Sequence, residues 1–368
     1  MDYRVYCGVD FHARQQTICC LTTEDGVTAT HELKNNNKEE VRAFYSQFQG
    51  PVLVGLEAGG YSLWFEQLLE ELGHEIWLGD AAAIRLCARR RQKNDRRDAA
   101  LMLDLLVHNQ FPRIHRQTPV SREILRMLRY RHKLVKIRTI NKNCLHALAI
   151  QSGLSLRTQL FTRAGLTQLQ ATDMSPVMQQ LRAEWLQLLP ILDQRINACE
   201  VWLAQQALAD RQVQRLRTHP GIGLLTALAV VHTLNPVNRF SNQRKVAAYG
   251  GFDPCEDSSA DRKRYLGISK AGSRLLRFLL IEAGQTAVKQ DAELRRFYQR
   301  LQHRKNKPKA KVAVARKLLI RCYILLRDEI DYAEFQRRAV AARLAREAHG
   351  TSNARPLIEQ PASSDDDE

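Results

Sequence analysis

The sequence predicts an α/β protein: an N-terminal mixed sheet with helices packed on it, followed by a helical arm and a mainly α C-terminal domain. Three observations predict it. Five short apolar or alternating runs fall within residues 3–78, the first three closely spaced and the last two separated by helical stretches. From residue 119 onward, apolar positions instead recur every three or four residues. A chain of 368 residues is also long enough for two or three cores.

In order, residues 3–9 alternate and deliver an acid, Asp10, at the end of the first strand. Residues 16–22 form a second strand, a turn at Thr23-Glu24-Asp25-Gly26 follows, and residues 27–33 return as a third. Residues 38–48 read as an amphipathic helix. Residues 51–56 are a buried-type strand that again ends in an acid, Glu57, before Ala58-Gly59-Gly60-Tyr61 breaks it. A helix over 62–72, a strand over 74–78 and a helix over 81–91 complete the domain, predicted to span 1–115.

The arm, 116–213, opens with a very basic helix over 119–148. Leu125, Leu128, Leu134 and Ile137 form its apolar stripe, and Arg126, Arg129 and Lys133 are among its cations. A solvated face is the plain reading, but cations in such excess over acids favour a nucleic-acid surface. Residues 175–216 predict one or two long helices, an arm or a dimerising coiled coil. In the third region, 214–349, Pro220-Gly221-Ile222-Gly223 predicts a helix-hairpin-helix turn. There Gly221 and Gly223 would let backbone N–H groups approach a phosphate; an ordinary interhelical turn is the plainer alternative. A short helix over 242–249, a polar loop over 250–267, basic helices around 273–287 and 311–326, and a linker over 304–309 follow. The acidic tail, 350–368, is expected to be disordered.

A formal charge of +17 fits a polyanionic partner. No stretch is apolar enough to span a bilayer and no signal peptide opens the chain, so no membrane partner is expected. The eight cysteines show no Cys-x-x-Cys pair and read as core fillers in a reducing cytoplasm. The eleven histidines form no metal-binding motif and read as structural or solvated.

The most informative stretch is 89–98, where Asp95 and Asp98 sit three apart among cations, opening a helix. Asp95 as a helix cap is the plain reading. Asp10 and Glu57 change the balance, because both end strands of one predicted sheet across which that helix can pack. Two carboxylates 4 Å apart repel by roughly 4 kcal/mol at an effective dielectric of 20, so such a cluster needs neutralising cations. Oxygen ligands suit Mg2+ or Mn2+, and a pair of such ions serves phosphoryl displacement.

Gly8-Val9-Asp10, Leu56-Glu57-Ala58-Gly59-Gly60-Tyr61 and Lys93-Asn94-Asp95-Arg96-Arg97-Asp98-Ala99 resemble the DEDD transposases of bacterial insertion sequences. So do Pro220-Gly221-Ile222-Gly223, residues 240–254 and the run 269–277 that contains Lys270. The resemblance covers nearly the whole chain except the tail. It implies a ribonuclease-H-like (RuvC-like) catalytic domain followed by a transposase domain. Asp10, Glu57, Asp95 and Asp98 would hold two Mg2+ or Mn2+ ions. The basic residues and the glycine turn themselves point to nucleic-acid contacts at Arg96, Arg97, Arg126, Arg129, Lys133, Gly221, Gly223 and Lys270. A serine after Gly251-Phe252-Asp253-Pro254 would be the nucleophile; Ser259 holds that position, with Ser258 adjacent and Ala260 where the family has glycine. The resemblance further implies DNA partners (element ends and target), a structured guide RNA and a homo-oligomer, dimer or tetramer, with composite active sites. It also implies action in the bacterial cytoplasm, at the nucleoid. The rivals are a junction nuclease that uses water and a non-enzymatic nucleic-acid-binding protein.

Overall fold

The computed structural model describes residues 3–88, 94–256 and 265–351. The chain divides into two compact units, Met1–Arg116 and Gln117–Glu368.

In the first unit, β1 (Val5–Phe11), β2 (Gln15–Thr22) and β3 (Thr28–Lys34) form an antiparallel meander. After α1 (Lys38–Ser46), β4 (Val52–Glu57) pairs parallel with β1; after α2 (Leu63–Glu71), β5 (Glu75–Gly79) pairs parallel with β4. The resulting mixed sheet has the order β3-β2-β1-β4-β5. Helices α3 (Ala81–Cys87) and α4 (Asp95–Val107) follow.

Strand alternation sorts the side chains into two cores. Val5, Cys7 and Val9 of β1 and Val52, Val54 and Leu56 of β4 pack with Tyr45 of α1 and Phe65 and Leu69 of α2. Tyr6 and Leu53 face the other way, onto Ile84 of α3 and Ala99, Met102, Leu103 and Leu106 of α4. On that second face Gly8 sets the distance. A Cβ there would lie 2.3 Å from the Leu103 nitrogen and 2.4 Å from the Ala99 oxygen, so only glycine lets α4 lie directly on β1. A Cβ on Gly55 would likewise meet the Leu106 side chain. With Gly8 under Ala99 and Leu103, the start of α4 falls beyond the C-terminal end of β1.

The second unit is mainly helical. Helices α5 (Pro119–Gln151) and α7 (Pro176–Leu208) begin alike, with a Thr118 or Ser175 cap and proline in the first turn. They pair antiparallel, as the ion pairs Arg131–Glu200 and Arg138–Asp193 show. The α7 stripe of Leu192, Ile196 and Cys199 is buried against Leu134 of α5, so the expected coiled coil closes within one chain. Helix α6 (Arg163–Ala171) plugs the tip of this hairpin through Leu169. At its base lie α8 (Arg211–Arg217) and α9 (Leu224–Leu234), the latter buried from Thr226 to Leu234. Helix α10 (Gln243–Tyr249), strands β6 (Pro254–Glu256) and β7 (Tyr265–Ile268), then α11 (Arg274–Gln290), α12 (Ala292–Arg304), α13 (Lys307–Arg327) and α14 (Tyr332–Thr351) complete the unit.

Three expectations and one alternative reading are corrected. The helix from residue 81 ends at Cys87, because Ala88 is extended. The span 250–267, expected to be a polar loop throughout, contains strand β6 and most of β7, which pair antiparallel. The linker over 304–309 shrinks to Lys305 and Asn306, with Asn306 capping α13. Asn94, not Asp95, caps α4: its side chain accepts from the Arg96 and Arg97 nitrogens.

Candidate active site

That last correction leaves the Asp95 carboxylate available for other contacts. In the β1–β4 ladder the last pair is Val9–Leu56, so Asp10 and Glu57 stand side by side one step further on. By alternation both lie on the face that α4 covers, as Gly8 and Gly55 do two residues earlier. Asp95 and Asp98 occupy the first turn of α4. All four sequence-predicted acids therefore belong to one face and one end of the sheet.

The closest grouping is Asp10, Asp95 and His12, whose ligand atoms all lie within 4.8 Å of one another. His12 Nε2 is 3.2 Å from Asp10 Oδ2 and 3.9 Å from Asp95 Oδ1. Asp10 is buried, while Asp95 and His12 are partly exposed. Gln15 reaches Asp95 Oδ2 at 3.5 Å. Glu57 lies outside this tight group and meets Arg85 Nη2 at 3.6 Å; Asp98 lies outside it too, three residues on from Asp95 in α4. His12, read from the sequence as structural or solvated, stands beside these acids. The signal was its spacing: two residues after Asp10 at a strand end shares Asp10's face.

Two carboxylates and an imidazole at this separation are a donor set that fits a divalent cation, with Glu57 and Asp98 as further oxygen donors nearby. Arg96, expected at a phosphate, donates instead to Glu32 at 2.9 Å, and Arg97 is exposed.

In the second unit, Arg126, Arg129 and Lys133 are exposed on α5, with no acidic partner among the described residues. Gly221 has φ +85, and a Cβ there would meet the Ala287 nitrogen at 2.6 Å, so packing against α11 already requires glycine. Gly223, at the start of α9, has nothing near its missing Cβ. Ser258 and Ser259 lie outside the described residues. The base of their loop is firmly built. Phe252 is buried, Ser269 N–H donates to the Asp253 carbonyl at 2.9 Å, and Arg277 donates to the Gly250 and Ala271 carbonyls. Lys270 is exposed beside it, with φ 57.

The mixed sheet order and the helices packed on it are those of a RuvC-like domain. Comparison with known proteins gives the family. Residues 7–151 match a DEDD-type transposase family of the IS110 group, and residues 213–299 match the family described as "Transposase IS116/IS110/IS902 family". The chain is 29% identical over 318 residues to a probable family 20 transposase of Pseudomonas aeruginosa, covering 84% of this chain and 92% of that protein. It is 29% identical over 202 residues to the transposase for insertion sequence element IS1111A of Coxiella burnetii, covering 54% and 55%. With the transposase for insertion sequence element IS1328 of Yersinia enterocolitica it shares 26% identity over 239 residues, 64% and 70% of the two chains. The chain belongs to the IS110 family of transposases, enzymes of the DNA recombinase and nuclease type. Membership implies a DNA substrate and use of a divalent metal. Among the described residues, no helix is long and apolar enough to cross a membrane.

Proposed function

We propose that this transposase is an RNA-guided DNA recombinase that cuts and rejoins strands through Ser259. The reading is supported above all by one observation: Asp10, Glu57, Asp95 and Asp98 share one face and one end of the sheet. These four would hold two Mg2+ or Mn2+ ions. Bound there, the cations would supply positive charge at the scissile phosphate and lower the pKa of an attacking hydroxyl.

The Ser259 hydroxyl loses its proton and its Oγ forms a bond to phosphorus. The bond from phosphorus to one deoxyribose oxygen breaks, and that oxygen takes up a proton. The strand is then held as a phosphoserine ester, and attack by another strand's hydroxyl reverses the step and rejoins DNA. Arg126, Arg129, Lys133 and Lys270, with Arg96, Arg97 and the turn at Gly221 and Gly223, would hold nucleic-acid backbones. Such contacts position without choosing a sequence, so a structured guide RNA would supply specificity. We assign 1–115 to catalysis, 116–213 to the arm, 214–349 to the serine-bearing domain and 350–368 to an acidic tail. The working form would be a homo-oligomer, dimer or tetramer, acting at the nucleoid.

Asp95→Asn and Ser259→Ala test this. Both should bind nucleic acid, yet neither should form a covalent DNA adduct on a denaturing gel, and Ser258→Ala should retain it. Cleavage by Ser259→Ala that leaves protein-free ends would instead establish a nuclease that uses water.

A further inference from the structure

We propose that His12 is itself a ligand of the divalent cation, through Nε2, alongside Asp10 and Asp95. This rests on the metal site just proposed and adds to it a nitrogen donor that the acids alone do not supply.

Three observations carry the inference. The first is distance. Donors on a six-coordinate ion with bonds of about 2.1 Å stand roughly 3.0 Å apart when adjacent and roughly 4.2 Å apart when opposite. His12 Nε2 lies 3.2 Å from Asp10 Oδ2 and 3.9 Å from Asp95 Oδ1, within that range. The second is origin. Asp10 and His12 come from one strand end and need no helix movement to face each other, whereas Asp95 arrives from α4.

The third observation is the support behind His12. Its carbonyl accepts from Asn35 Nδ2 at 2.6 Å, and its N–H donates to the Gln15 carbonyl at 2.9 Å. The Asn35 side chain in turn accepts from Gln16 Nε2 at 3.0 Å, and Gln16 Oε1 accepts from the Tyr45 hydroxyl at 3.1 Å. Gln16 and Tyr45 are fully buried and Asn35 nearly so. This buried polar chain, running under the sheet to α1, fixes the backbone of residue 12 while its ring stays partly exposed beside the acids. A ligand needs that kind of outer support to hold its geometry before the ion arrives.

An imidazole also changes which ion is preferred. Carboxylates alone suit Mg2+ and Mn2+ alike, while imidazole is favoured by transition metals. The site should therefore prefer Mn2+ over Mg2+ by more than a purely carboxylate site would.

The test uses the full-length protein with Mn2+ alone as the probe. Electron spin-echo envelope modulation of the bound ion should show nitrogen-14 coupling from a directly bound imidazole. His12→Gln should lose that coupling and bind Mn2+ about 10–100-fold more weakly, on the scale of losing one supporting group, while Mg2+ binding changes less. Thermal melts check that the variant folds, and the wild-type spectrum is informative without it. Mn2+ bound by the wild type without nitrogen coupling, or coupling that persists in His12→Gln, overturns the assignment of His12 and leaves the carboxylate site standing. Failure of the wild type to bind Mn2+ in any manner sensitive to Asp10→Asn and Asp95→Asn would instead remove the metal site, and His12 with it.

Discussion

Gly8 shows how one missing atom builds the site. Its absent Cβ would meet two backbone atoms of α4, which cannot rotate away as a flexible side chain can. Gly8→Ala should therefore push α4 off β1 and carry Asp95 away from Asp10. Overpacking of this kind costs about 1–3 kcal/mol. The thermal midpoint should fall and Mn2+ affinity should fall with it, while Gly60→Ala, where the added atom meets nothing, should leave both unchanged. Equal stability and affinity in Gly8→Ala would mean that α4 does not rest on the strand in this way. The acids are legible in the sequence because each stands at a strand end or helix start, where pattern reading is strong. His12 is not, because a single histidine after an acid is common and only the strand's alternation turns it toward the face that carries Asp10. Asp95 also reads too easily as a cap, and the neighbouring Asn94 takes that part.

At the scale of elements, apolar periodicity reveals the sheet and the long helices but not what each stripe packs against. The α7 stripe fits a second copy as well as its own chain; α5 happens to be in reach. Strands β6 and β7 escape detection because three or four residues carry no periodicity to read. A buried polar cluster joining α12, α13 and the turn before α9 is equally silent in the sequence. Arg321 pairs with Asp291 at 2.6 Å and approaches His219 Nε2 at 3.4 Å; the Tyr332 hydroxyl donates to Asp291. Burial alone would raise the Asp291 pKa, but hydrogen bonds from Tyr332 and the Leu294 N–H, with the charge of Arg321, bring it to about 2. Burial pushes His219 down to about 4, with Arg321 acting in the same sense. The unfolded chain then takes up a proton on residue 219 near pH 6.5 that the folded chain refuses until about pH 4. Stability contributed here is complete above that window and is lost as pH falls through it. Asp291 adds a second loss only below its ordinary value of 3.8. Between pH 7 and pH 5 the His219 contribution should fall by about 1–2 kcal/mol. Denaturant midpoints of the wild type and His219→Gln should converge as pH drops if the histidine is responsible; parallel curves would assign the acid sensitivity elsewhere.

For the whole molecule, the division into two units bears directly on the proposed chemistry. The acids belong to the first unit, Met1–Arg116, and Ser259 falls in the span of the second, Gln117–Glu368. A serine hydroxyl is a weak nucleophile without an activating group. If cutting requires acids from one protomer and serine from another, a lone protomer cannot cut DNA. Mixing two inactive variants tests this. In a twofold dimer assembled at random from equal amounts of Asp95→Asn and Ser259→Ala chains, half the dimers are mixed, and each has one site with intact acids and an intact serine. Adduct formation should therefore recover to about a quarter of the wild-type level. The recovered DNA should be attached only to the Asp95→Asn chain, which keeps the serine, and a size tag on one variant distinguishes them on a denaturing gel. Acids and serine drawn from the same chain give a different outcome: no mixture can recover, because every chain lacks one or the other. A mixture as inactive as either variant alone would thus return the whole reaction to a single protomer and require its two units to close on each other.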